Sequence, residues 1–135
     1  MKRLRGIILI IISMLVISHN FLPILSEKDD PDKYLLVVYH EEDRINPGDL
    51  VTLKAELFLG QTRFTNSNNV RIEGILQLSS SNTTFFTFEY EGKGIFTHNL
   101  SIPNGNRDYY LTIRYNAYIS DELIAYNSNK ITIER

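Results

Sequence analysis

The chain has 135 residues, with 14 Lys and Arg, 16 Asp and Glu, three His, no Cys and no Trp. Every charged residue among the first 26 is basic, which leaves 11 basic and 16 acidic side chains on the rest of the chain. These numbers exclude a second large domain, disulfide bonds and thiolate metal sites, and the acidic body argues against nucleic acid as a partner.

The first 26 residues are predicted to be a signal peptide or an N-terminal membrane anchor. Lys2, Arg3 and Arg5 precede an apolar run over residues 7–18, which is the arrangement of a secretory signal. As a helix this run would extend for roughly 18 Å, short of the roughly 30 Å hydrocarbon core of a bilayer. The basic flank predicts that the body of the protein lies on the extracellular side of the membrane.

Several fates of this leader remain open. A signal ending at Ser18 or Ser26 would release a secreted protein, whereas an uncleaved leader would make the membrane a partner. Residues 5–8, Arg-Gly-Ile-Ile, resemble the processing site of pilin precursors, so a pilin-like filament component is a further interpretation. Burial of the leader as a core helix is the last alternative.

Residues 27–33 are acidic and interrupted by a proline, which predicts an exposed linker ahead of a domain over residues 34–135. From there on apolar and polar residues alternate with period two, the pattern of half-buried strands. Asn46-Pro47-Gly48-Asp49 predicts a turn ahead of the second strand. Seven strands, packed as an antiparallel β-sandwich, are predicted over residues 34–39, 51–59, 70–78, 85–90, 96–102, 109–119 and 123–133, with a kink at 127–129 in the last.

Two segments of this body resemble a known family. Residues 43–51, Asp-Arg-Ile-Asn-Pro-Gly-Asp-Leu-Val, are similar to a segment of macroglobulin-type Ig-like domains, and residues 94–103 resemble the strand of that family that ends in Leu-Pro. The first motif also occurs in fibronectin type III modules. The resemblance implies an Ig-like β-sandwich with a contact or spacer role outside the membrane, without catalytic residues. Because the chain has no Cys, the thioester of macroglobulins cannot form.

The residues with reactive side chains do not predict an enzyme. His40-Glu41-Glu42-Asp43 could suggest a metal site, but the second His that a His-Glu-x-x-His motif needs is replaced by Arg44, and we expect an exposed acidic loop. His98 shares a strand face with apolar residues and is predicted to be a hydrogen-bonded histidine. With three His in all and no Gly-x-Ser-x-Gly motif, we predict no catalytic residue, metal or cofactor.

The aromatic residues suggest a binding surface. Tyr110 and Tyr118 lie on the polar side of one predicted strand, with Arg114 between them, and such a row could stack on sugars or contact a protein. The alternative is ordinary cross-strand packing of surface tyrosines. Phe85, Phe86 and Phe88 place aromatic side chains on both sides of another strand, so that either both sides are covered or one is an exposed apolar patch that awaits a partner.

Two sequons predict sites of N-glycosylation, Asn82-Thr83-Thr84 and Asn99-Leu100-Ser101. Together these features predict a non-enzymatic binding or scaffolding module, secreted or anchored at the cell surface, with a protein or polysaccharide as its partner. The alternatives are a carbohydrate-recognition module that uses Tyr110 and Tyr118, and a pilin-like filament component.

Overall fold

The computed structural model describes residues 33–79 and 82–135. The predicted leader, with its N-terminal hydrophobic helix, and the linker up to residue 32 lie outside the described residues. Within those two ranges, no helix is long and apolar enough to cross a membrane.

The described chain folds into nine strands that form two antiparallel sheets. The strands are β1 (Tyr34–Tyr39), β2 (Leu50–Leu59), β3 (Thr62–Arg63), β4 (Val70–Ser79), β5 (Asn82–Thr87), β6 (Glu89–Gly92), β7 (Ile95–Ser101), β8 (Tyr109–Ile119) and β9 (Glu122–Ile133). The five-stranded sheet has the order β1-β2-β7-β6, with β3 paired to β2. The four-stranded sheet has the order β5-β4-β8-β9. The predicted all-β sandwich is therefore confirmed.

The core lies between the two sheets, where the apolar side chains of each alternating strand meet. In β2, Leu53, Ala55 and Leu57 are fully buried while the residues between them face outward. Tyr115 of β8 is also fully buried, and its hydroxyl donates a hydrogen bond of 2.9 Å to the Asn129 side-chain oxygen. This bond satisfies the one polar group that the ring carries into the core.

The predicted number of seven strands is wrong, because the chain changes sheets within the aromatic segment at 85–90. That segment forms β5 in the four-stranded sheet and β6 in the five-stranded sheet. Between them Phe88 is buried, and its N–H donates to the Ile72 carbonyl at 2.9 Å. The two-residue β3 is the other addition. Alternation alone does not reveal such a crossing, because the side chains keep their period across it.

The predicted kink at residues 127–129 is also wrong. β9 is continuous there, and Asn127, Ser128 and Asn129 pair with β8. The two asparagines are polar partners rather than turn residues, since Asn127 donates to the Leu36 carbonyl at 2.9 Å and Asn129 accepts from Tyr115. The irregularity in this hairpin lies instead at Ile124, beside the Ala117/Tyr118 register shift.

The predicted turn at residues 46–49 is confirmed. Asp49 N–H donates to the Asn46 carbonyl at 3.2 Å, and Gly48 adopts a φ of +85°, which the third position of a type II turn requires. The turn is held against the end of β7, because Ile102 N–H donates to the Asp49 carbonyl at 2.8 Å. Beyond it, the Tyr109 hydroxyl donates to the Pro103 carbonyl and closes the connection into β8.

The described chain enters and leaves the sandwich at opposite ends. Gly60 N–H, just past the end of β2, donates to the Lys33 carbonyl at 3.0 Å, which places the start of β1 at that end. Glu134 N–H donates to the Ile45 carbonyl at 2.9 Å, and Ile45 lies beyond the other end of β1. The first and last described residues are therefore separated by the length of the strands.

Candidate functional site

The outward side of the four-stranded sheet carries the tyrosines singled out in the sequence. Strand register fixes which side chains are neighbours there. We call this surface the aromatic face, and its members are Arg71, Glu73, Ile75, Gln77, Thr83, Phe85, Thr87, Tyr110, Thr112, Arg114, Asn116, Tyr118, Leu123, Tyr126, Ser128, Lys130 and Thr132.

Tyr110, Arg114 and Tyr118 all lie on the aromatic face, because they alternate in β8 with buried residues. They do not form one compact site. Tyr118 lies eight positions after Tyr110, which corresponds to about 27 Å along a strand. The sequence therefore predicted a shared surface, and the structure places one tyrosine at each end of it.

Each of the two tyrosines is covered by a cation from a neighbouring strand. The Lys130 ammonium lies 4.0 Å from the centre of the Tyr110 ring, and the Arg71 guanidinium lies 4.3 Å from the centre of the Tyr118 ring. Tyr118 also accepts a hydrogen bond of 3.4 Å from the Asn116 side chain. These contacts hold both rings in defined positions on the sheet.

Arg114 occupies the middle of the aromatic face. It is exposed, and its cross-strand neighbours are Ile75 and Ser128. Within residues 33–79 and 82–135, no carboxylate forms an ion pair with it, whereas Arg71 pairs with both Glu73 and Asp121. Arg114 is thus a cation that is free to contact a ligand.

Large apolar side chains are exposed around Arg114. The exposed fraction is 70% for Phe85, 61% for Tyr110, 51% for Leu123 and 80% for Tyr126. From the sequence, Phe85 could be either covered or exposed, and Tyr126 was not predicted to be exposed. In β9, Tyr126 lies on the same side of the strand as Ser128 and Lys130. Had the strand been predicted as continuous, its two-residue period would have placed Tyr126 on the outward side.

The outward side of the five-stranded sheet has a different character. Both of its basic side chains have partners, because Lys54 pairs with Glu41 and Arg63 pairs with the buried carboxylate of Glu56. Thr97 donates to Glu91 at 2.7 Å on the same side. Charged groups that already have partners leave little for a ligand to recognise, so the aromatic face is the stronger candidate.

His98 and the aromatic residues opposite it belong to the interior. The His98 ring stacks on the Phe86 ring with centroids 4.2 Å apart, and its Nδ1 lies 3.2 Å from the Thr87 carbonyl oxygen. Partial burial lowers the pKa of His98 below its usual value. The structure thus gives His98 the hydrogen-bonded position that was predicted for it.

The acidic segment after β1 lines a cleft of about 160 Å³ beside β9. His40 Nδ1 lies 3.6 Å from a carboxylate oxygen of Glu42, and Arg44 forms an ion pair of 3.4 Å with Glu134. In the part of the chain that the structure describes, no three His, Asp or Glu side chains are grouped closely enough to hold a metal ion. The cleft therefore offers paired surface charges rather than a ligand set.

Both predicted glycosylation sites are exposed. Asn82 is the first residue of β5. Asn99 lies on the outward side of the five-stranded sheet, and its side-chain oxygen accepts a hydrogen bond of 2.9 Å from Thr52. The Asn82 side chain is the better placed of the two for modification, because it begins an edge strand, whereas Asn99 lies in a strand that is paired on both sides.

No protein-family model matches the chain, and no curated protein matches it either.

Proposed function

We propose that the chain is a non-enzymatic binding or scaffolding module on the extracellular side of a membrane, and that it contacts its partner through the aromatic face. The observation that carries this proposal is the exposure of Phe85, Tyr110, Leu123 and Tyr126 on one side of one sheet. The same side carries Arg114, which forms no ion pair with any described residue. Aromatic side chains and arginine are the residues that contribute most to binding energy at protein interfaces. The extracellular location rests on the basic and apolar leader.

We further propose that the sandwich is Ig-like, as the resemblance to macroglobulin-type and fibronectin type III domains implies. In sheet order, β1, β2, β7 and β6 would be strands A, B, E and D, while β4, β8 and β9 would be strands C, F and G. The hydrogen bond from the Tyr109 hydroxyl to the Pro103 carbonyl supports this assignment. A tyrosine at the start of strand F that bonds to upstream backbone recurs in this fold class.

A protein partner is favoured over a polysaccharide. Phe85 and Leu123 have no polar group with which to bind the hydroxyls of a sugar, and Ile75 lies directly beside Phe85. Carbohydrate recognition is the second candidate, because the rings of Tyr110 and Tyr126 are exposed and could stack on sugar rings. The pilin-like alternative depends on the leader and gains no support from the aromatic face.

The two candidates can be separated with isolated cell envelopes from the source organism. We expect the full-length protein to bind these envelopes, and a Phe85→Ser, Tyr126→Ser double variant to bind at least about tenfold more weakly. Thr97→Ala, on the outward side of the other sheet, is the matched control and should bind as the wild type does. Protease treatment of the envelopes should abolish binding to a protein partner, whereas periodate treatment should abolish binding to a polysaccharide.

Unchanged binding of the double variant would refute the proposal, as would an equal loss for Thr97→Ala. Turnover of a substrate by the purified protein would contradict its non-enzymatic character.

A further inference from the structure

We infer that β5 is an association edge at which two copies of this chain pair antiparallel, so that their four-stranded sheets join into one. Edge strands present unpaired backbone N–H and C=O groups, and proteins usually protect them with charge, proline, bulges or covering segments. The inference compares the edges of the two sheets and is independent of what the aromatic face binds.

Three of the four sheet edges are protected. The edges of β1 and β9 lie beside each other, and the Asn127 side chain bridges them by donating to the Leu36 carbonyl. β6 is four residues long, carries Glu89 and Glu91, and has a register shift between Tyr90 and Gly92. Each of these features discourages pairing with another strand.

The fourth edge, β5, is less protected, because its register shift with β4 lies between Gln77 and Ser79, outside the pairing of residues 83–87. Its sequence is Asn-Thr-Thr-Phe-Phe-Thr, with neither a charged residue nor a proline. Its register with β4 is regular from Thr83 to Thr87. β-branched and aromatic residues favour the extended conformation, so this edge is chemically suited to accept a further strand.

The backbone of β5 directs alternate residues toward the open edge. Phe88 N–H points toward β4, since it donates to the Ile72 carbonyl, and the Thr87 carbonyl points the opposite way, toward His98. By strand alternation, Thr83, Phe85 and Thr87 therefore direct their N–H and C=O groups away from β4. No described residue is paired with β5 on that side.

A second β5 fits this edge best in one register. In an antiparallel pair, residues directly opposite each other lie on the same face of the sheet. The two-fold axis must therefore pass between two copies of the same residue, such as Phe85 and Phe85 of the second copy. This register also opposes Thr83 to Thr87, so that all three residues exchange backbone hydrogen bonds, and the Thr87 carbonyl, which already lies 3.2 Å from His98 Nδ1, accepts through its second lone pair. A shift of the axis to Thr84 or Phe86 leaves one of the three without a partner.

The side chains are compatible with this register. The two Phe85 rings, each 70% exposed in the single chain, would lie opposite each other on the joined outward surface. Aromatic pairs and threonine pairs both stabilise antiparallel strands when directly opposed. Because pairing consumes the one open edge that the described residues of each copy present, association stops at the dimer.

The first test measures the mass of the full-length protein in mild detergent by sedimentation equilibrium. We expect a dimer, and we expect Phe85→Lys to weaken its association at least about tenfold, because two like charges would be directly opposed. Tyr126→Lys is the matched control, since it places the same charge at an equally exposed aromatic position of β9, and should leave the dimer intact. Thermal unfolding of both variants verifies that they fold.

A monomer at every concentration would overturn the inference, and so would a dimer that Phe85→Lys leaves unchanged or that Tyr126→Lys weakens equally. Open-ended aggregates in place of a dimer would also overturn it.

The second test examines the register with thiols, which the native chain lacks. Thr83→Cys and Thr87→Cys variants should cross-link to each other in a mixture when a short bifunctional thiol reagent is added. Neither variant should cross-link alone, because identical positions would be offset by about 14 Å along the strands. Cross-linking of either variant alone, with none in the mixture, would refute this register.

Discussion

Gly74, Phe86 and His98 form a stack that joins the two sheets inside the sandwich. The Phe86 ring lies directly over Gly74, its cross-strand partner, and its other side stacks on the His98 ring of the opposite sheet. A methyl group at position 74 would overlap the ring. Gly74 therefore interrupts the row of aliphatic residues in β4 because the space above it belongs to an aromatic side chain of the neighbouring strand.

Replacement of this glycine should destabilise the fold through steric overlap. We expect Gly74→Ala to lower the free energy of unfolding by about 1–3 kcal/mol, the usual cost of overpacking a core, as measured by chemical denaturation. In a Phe86→Leu background the same substitution should cost much less, because the ring is gone. An equal cost in both backgrounds would mean that the backbone of residue 74, and not the ring, is responsible.

His98 should make the stability depend on pH. Desolvation lowers its pKa in the folded protein below the ordinary 6.5, against weaker opposing effects of the Thr87 carbonyl and Glu89. As the pH falls, the unfolded chain takes up this proton first, so the free energy of unfolding decreases from about pH 6.5 down through the lower folded pKa. Above pH 6.5, where His98 is neutral in both the folded and the unfolded state, its titration no longer reduces the free energy of unfolding.

The test compares denaturation curves between pH 5 and 8 for the wild type and His98→Phe. The variant keeps an aromatic ring and carries no titrating group, so its stability should vary less with pH in the acidic part of this range. Thr97→Ser, on the same strand, should retain the wild-type dependence. A pH dependence that is identical in His98→Phe would assign the effect to other groups.

At the scale of elements, the hairpin of β8 and β9 determines the geometry of the aromatic face. Its turn contains Ser120 and Asp121, both with positive φ, at 49° and 64°. Two consecutive residues in this region form the type I′ turn that suits a tight hairpin. The turn sets the pairing as far as Leu123, and the extra residue Ile124 then shifts it by one, which brings Tyr126 opposite Asn116 and diagonally next to Tyr118.

A residue better suited to positive φ should stabilise this hairpin. We expect Ser120→Asn to raise the free energy of unfolding by about 0.5 kcal/mol, because asparagine adopts the left-handed region more readily than serine. Ser120→Val is the matched opposite, and it should destabilise the protein because β-branched residues avoid this region. Denaturation midpoints that move in the same direction for both variants would contradict the argument.

At the scale of the whole molecule, alternation predicted what each strand buries but not how the strands are arranged. It identified the inner residues of β2 and the outward position of Tyr110 and Tyr118, since both follow from the two-residue period. The sheet to which a strand belongs depends on partners far along the chain, so the change of sheet at Phe88 was missed. The same limit hid the aromatic face, whose neighbours come from β4, β5, β8 and β9 and are set by register.

The opposite positions of the first and last described residues have a mechanical consequence. A force applied between Lys33 and Arg135 acts along β1 and β9, because the chain enters at one end of these strands and leaves at the other. The hydrogen bonds to β2 and β8 lie across the strands, so such a force shears many of them at once instead of opening them one after another. The described domain would thus resist extension between these two residues in its strongest direction.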